Sequence, residues 1–194
     1  MNSISQKRQS KKPISSCNSK KNDSKNRTLA DMVDEYLEEY GNSYDWEDKW
    51  WGDKNITWSE AIERAWQSRF ENGKMHGHQR RVAGKLYLGL EACLNQNRSP
   101  HNFDNFHVVY SWLESITQEI SGLGATTTYD VARRLGTWLD MQPEMVHLHA
   151  GAADGAKKLG IKGKMVSLND FPDEIRKLGA THAENFLCIY KNRL

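Results

Sequence analysis

The 194-residue chain is 38% hydrophobic and 27% charged, which supports one core of ordinary size or two small ones and excludes a coiled coil, a collagen or a fully disordered polymer. No apolar run approaches twenty residues, so a membrane span is excluded too. The net charge of +2 is uneven: residues 1–27 hold Lys7, Arg8, Lys11, Lys12, Lys20, Lys21, Lys25 and Arg27 against Asp23 alone, a +7 arm that leaves the remainder at −5.

That arm is rich in Ser, Asn and Lys with almost nothing to bury, and its composition predicts a disordered basic tail. A mobile basic tail attracts nucleic acid by releasing condensed counterions; a solvated tail with no partner fits the composition equally. Cys17, Cys93 and Cys188 are scattered, odd in number and without CxxC spacing or an apolar leader, so reduced thiols and a cytoplasmic location are expected.

From Thr28 the pattern turns helical. Leu29, Val33, Tyr36, Leu37 and Tyr40 share one stripe behind a Thr28 cap with Asp31 three residues on, and Gly41 ends it. Next come Trp46, Trp50, Trp51, Trp58 and Trp66, five of the seven tryptophans, set among Asp45, Glu47, Asp48 and Asp53. Carboxylates repel the phosphates that accompany bases, so these rings read as core fillers rather than nucleic-acid platforms. Residues 41–56 show no clear period and are expected to be loop.

A second helix opens at a Thr57–Glu60 capping box and carries Trp58, Ile62, Trp66 and Phe70. A third is expected from His76 to Leu94, burying Val82, Leu86, Leu90, Cys93 and Leu94. A fourth spans about 103–120 with Phe103, Phe106, Tyr110, Leu113, Ile116 and Ile120 on one face. The stripe Val131, Leu135, Trp138, Leu139 predicts a helix over 127–139, and Ala150, Ala153 and Ala156 a short one over 149–159. Capping-box spacings at Ser167–Asp170 and Thr181–Glu184 suggest two more. The fold expected is all-α: about eight helices in residues 28–194, with a Trp-rich half (28–98) and a C-terminal half (102–194) containing a hairpin.

The most specific feature is Ile120-Ser121-Gly122-Leu123-Gly124-Ala125-Thr126-Thr127-Thr128, between two apolar stripes. Two glycines permit a tight turn, Leu123 plugs the space between the helices, and free amides from Gly124 to Thr127 begin the next helix. Such amides, with the helix dipole behind them, hold an anion such as a DNA phosphate without any basic side chain. A plain interhelical turn would use the same residues.

This segment resembles a helix-hairpin-helix motif. Together with Tyr129-Asp130-Val131-Ala132-Arg133-Arg134-Leu135-Gly136 and His149-Ala150-Gly151, residues 121–194 are similar to the hairpin half of bacterial 8-oxoguanine DNA glycosylase-like proteins. The resemblance implies DNA contact through Gly122, Leu123, Gly124, Ala125, Thr126 and Thr127. Lyase members of that group carry a lysine two residues after the second glycine, where this chain has Thr126, and most place an aspartate near what is here Pro143–His149, whose acid is Glu144. Schiff-base chemistry at that position is therefore not expected. Any glycosylase-like chemistry would fall to Asp130, His147 or His149.

The pairs His76/His78 and His147/His149 lack a Cys or acidic partner at recognised metal spacing, so no metal and no cofactor are expected, and structural histidines account for them. Asp130 early in a helix suits the dipole without further purpose. Arg80, Arg81 and Lys85 form the densest basic cluster of the body, with Arg81 and Lys85 stacked if the segment is α-helical; Lys157, Lys158, Lys162 and Lys164 form a second. Both are candidate phosphate faces or merely solvated runs. DNA is thus the expected partner, with no membrane. Residues 28–71, where twelve acids oppose four bases, offer an alternative protein-interaction surface.

Overall fold

Thr28 Oγ1 accepts from the Asp31 amide at 3.2 Å while the Asp31 carboxylate accepts from the Thr28 amide at 2.9 Å, the reciprocal cap that the sequence announces. The computed structural model describes residues 27–194. The basic tail lies outside the described residues apart from Arg27, which pairs with Glu35.

Nine α-helices follow among the described residues: α1 (Leu29–Tyr40), α2 (Ser43–Trp51), α3 (Trp58–Gln67), α4 (Leu86–Gln96), α5 (Phe106–Gln118), α6 (Ala125–Trp138), α7 (Ala150–Lys158), α8 (Asp173–Arg176) and α9 (Gly179–Tyr190). Short 3-10 helices occupy Gly77–Lys85, Pro100–Asn102 and Leu168–Asp170. The all-α expectation holds. The β structure among the described residues is a pair of three-residue antiparallel strands, β1 (Met145–His147) and β2 (Met165–Ser167), with Val146 opposite Val166, and an isolated bridge between Arg69 and Met75.

Two apolar clusters hold these elements together. One joins α3 to α6 through Trp66, Phe106, Leu113, Val131 and Leu135; the other joins α1 to the segment from β1 to α9 through Tyr36, Val146, Ile175, Phe186 and Tyr190. The clusters do not follow the 28–98 and 102–194 division, because α1 packs on α8 and α9 rather than only on its neighbours. Arg193 secures that return with two 3.0 Å bonds to the Glu35 carboxylate, and Asn185 Nδ2 donates to the Tyr36 hydroxyl. Helices α7 and α9 approach closely at Gly155, where a Cβ would lie 2.3 Å from the Leu187 carbonyl oxygen.

Several local expectations are corrected. Residues 43–51 are helical, not loop: α2 buries Ser43, Glu47 and Trp51, a stripe with a carboxylate at its centre that stands 4.0 Å from the Arg133 guanidinium. The expected helix 76–94 is a 3-10 segment followed by α4. Its Gly77 and Gly84 weaken α-helix formation, and Leu94 is exposed. With about three residues per turn, Arg81 and Lys85 are not stacked. The Thr181–Glu184 box does not form, since α9 already begins at Gly179 and Glu184 is buried. Cys93 is free and buried, accepting from Trp66 Nε1 at 3.0 Å.

Candidate functional site

The hairpin joins α5 to α6. Gly122 sits at φ +94°, a left-handed conformation that a side chain resists, and a Cβ there would strike the Lys85 amine, which donates to the Ser121 carbonyl. Gly124 is different: its backbone is extended and nothing lies within 4 Å of where a Cβ would point. The turn therefore requires the first glycine, while the second leaves open space at the start of α6. Leu123 is buried among the apolar residues of α5 and α6, as its plugging role demands.

No side chain caps the N-terminus of α6 among the described residues, so the first amides of this 14-residue helix have no partner within it. They open into a cleft of about 770 Å³. Gly122, Gly124, Ala125, Thr126 and Thr127 form one side and Gly77, His78, Arg80, Arg81 and Val82 the next; His149, Ala150, Gly151, Glu184, Cys188 and Lys191 complete it. The structure thus brings Arg80 and Arg81 to the hairpin. Lys85 reaches it from behind. Lys157, Lys158, Lys162 and Lys164 do not line the cleft.

The polar groups here are unusual in their burial. Glu184 is 8% exposed, and its carboxylate faces His149 Nε2 at 3.6 Å. Burial, and then the negative charge of Asp130, push the Glu184 carboxyl up to about 8 against the opposing pull of His78 and Arg133. His149 is equally buried. Its Nδ1 lies 3.3 Å from Thr126 Oγ1, and its Nε2 has no hydrogen-bond partner among the described residues. Burial lowers the His149 imidazole, partly offset by Asp130. Ala150, the next residue, adopts φ +43°, a strained conformation at the mouth of α7.

Asp130 lies one turn beyond Thr126 on α6. Its Oδ2 accepts from Gln79 Nε2 at 2.6 Å and lies 3.0 Å from His78 Nδ1. Burial alone would raise this carboxyl; His78 through charge and hydrogen bond, with His76 and Arg134 behind it, holds it well below the usual range instead. Arg134 is bound by Ala65 O, Ser68 Oγ and Gln79 Oε1, so a buried relay runs from α3 through α6 to the 3-10 segment.

Of the candidate catalytic residues, His149 lines the cleft and Asp130 stands directly behind His78. His147 does neither: it is packed among Phe106, Tyr110 and Tyr129, with ring centroids 4.3–5.6 Å away. Glu184 is the functional candidate that sequence reasoning missed. Its spacing from Thr181 imitates a capping box, and its burial against His149 follows only from the contact of α7 with α9. Of the five tryptophans of residues 46–66, Trp51 and Trp66 are buried as expected, whereas Trp46, Trp50 and Trp58 are only partly buried. A scan against protein-family models, a search of curated proteins and a search of solved structures each give no match to this chain. No described helix is long and apolar enough to cross a membrane.

Proposed function

We propose that this protein binds nucleic acid by its phosphate backbone, holding a phosphate on the amides of Ala125, Thr126 and Thr127 with Arg80 and Arg81 beside it. The observation that carries this reading is the convergence of an uncapped helix N-terminus and two arginines on one cleft. Such a contact positions a protein on nucleic acid without reading sequence.

Binding to duplex, gapped and single-stranded DNA across a salt series tests it. Thr126→Glu suits the dipole of α6 and should leave the fold intact, yet it places a negative charge at the anion site and should weaken binding at least tenfold. Equal affinity at equal thermal stability would reduce the hairpin to a turn.

A second reading, glycosylase-like base excision, is favoured by Glu184 and His149 lining the same cleft. Burial pushes the Glu184 carboxyl up to about 8, which favours its protonated form, and in this reading it would donate that proton to a leaving base. Thr126 in place of the lysine means that this chemistry would be hydrolytic rather than lyase-type. Release of free base from an 8-oxoguanine duplex by the parent, abolished in Glu184→Gln, supports this reading; no release by the parent rejects it for that base.

A further inference from the structure

We infer that His76, His78 and Asp130 form a binding site for one divalent, zinc-class transition-metal ion beside the cleft. The three residues each offer a ligand atom, and these atoms lie within 4.8 Å of one another. Asp130 Oδ2 is 3.0 Å from His78 Nδ1 and 4.0 Å from His76 Nδ1. Ligands on a tetrahedral ion with bonds of 2.0–2.2 Å stand about 3.4 Å apart, so the separations here need to change by no more than about 1.4 Å, shared between two side chains, to form a coordination shell.

The short His78–Asp130 contact does not account for the cluster, because His76 Nδ1 stands 4.0 Å from the same carboxylate oxygen, beyond hydrogen-bond reach. His76 is 6% exposed, and its Nδ1 has no hydrogen-bond partner among the described residues. A buried polar atom without a partner is costly unless something absent from the protein atoms satisfies it. A metal ion does so in the direction in which this nitrogen already faces the carboxylate.

Local conformation makes the pairing possible. Residues two apart on an α-helix point to different faces, but His76 precedes the 3-10 segment in an extended conformation and His78 lies within it. Their rings meet edge to face at 4.9 Å. Gln79 Nε2 orients the Asp130 carboxylate, and Arg134 in turn orients Gln79, an outer layer of the kind that fixes metal ligands. Two imidazoles and one carboxylate select zinc, cobalt or iron over calcium or magnesium. Three protein ligands would leave a four-coordinate ion one further position for water or substrate, and His78 lines the cleft.

The test uses the untagged full chain, stripped by a chelator and titrated with Zn²⁺ by calorimetry and with Co²⁺ by visible absorption, without DNA, so that its result is independent of the nucleic-acid reading. One ion per chain is expected, with binding weakened at least tenfold in His78→Ala and in Asp130→Asn and unchanged in His101→Ala, an exposed histidine elsewhere. Co²⁺ should give ligand-field bands in the parent that both variants lose, and Zn²⁺ should raise the melting temperature of the parent alone. Should Asp130→Asn fail to fold, His78→Ala, whose ring is partly exposed, decides. Absence of one-equivalent binding, or equal binding by the parent and His78→Ala, overturns the site.

Discussion

Replacing Glu184 by Gln keeps the shape of the buried protonated acid and removes its titration. In the parent the carboxyl sits near 8 against an ordinary 4.5. At about 1.4 kcal/mol per pH unit that difference corresponds to about 5 kcal/mol. The sign follows from proton counting: between pH 4.5 and 8 the folded protein holds a proton that the unfolded chain has released, so stability falls as pH rises. The parent should therefore lose about 5 kcal/mol relative to Glu184→Gln between pH 4.5 and 8.5. For a domain of this size that is on the order of 10–20 °C in melting temperature. Histidines remote from Glu184 cancel between the two proteins, so the difference between the two curves reports Glu184 together with its coupling to His149 and His78. Thermal unfolding of both proteins at half-unit pH steps is the assay. Parallel curves would show that Glu184 is hydrated in solution and would remove the proton donor from the base-excision reading.

Three further outcomes are expected. Arg81→Ala should reduce the magnitude of the slope of log K against log salt by about one for duplex DNA, measured by fluorescence anisotropy; an unchanged slope places Arg81 outside the interface. Arg134→Ala strips Ala65 O, Ser68 Oγ and Gln79 of a buried donor and should cost about 3 kcal/mol or more in urea unfolding, whereas a loss under 1 kcal/mol would mean that water replaces the guanidinium. Gly155→Ala drives a methyl onto the Leu187 carbonyl. It should cost about 1–3 kcal/mol by the same assay, and a stabilised variant would contradict the close approach of α7 and α9.

The parts of this fold that were legible in the sequence are those decided within four residues. Thr28 with Asp31 and Thr57 with Glu60 form both halves of their caps, and Gly122 takes the left-handed conformation that the two-glycine turn calls for. Helix α2 was illegible because its buried stripe runs through Glu47, which tolerates burial only beside Arg133, far along the chain. The candidate site failed to show for the same reason. Asp130 meets His78 across 52 positions, so a search for ligands at fixed spacing sees two histidines and no acid. Glu184 was hidden by a coincidence of pattern: the spacing that caps a helix also occurs inside one, and only tertiary contact tells the two apart.

The two walls of the cleft belong to different cores, and this sets an order of assembly. The hairpin and residues 77–82 stand on the α3–α6 cluster, whose members are contiguous in the chain and meet by short loop closures. His149, Glu184 and Lys191 stand on the cluster that contains α1, whose Tyr36 is buried against Phe186 and Tyr190. During synthesis α1 leaves the ribosome early, whereas the rest of its cluster, from β1 to α9, follows only after the α3–α6 cluster. Chain order therefore puts the residues of the hairpin wall ahead of those of the opposite wall, and the polar pocket between them needs both clusters in place.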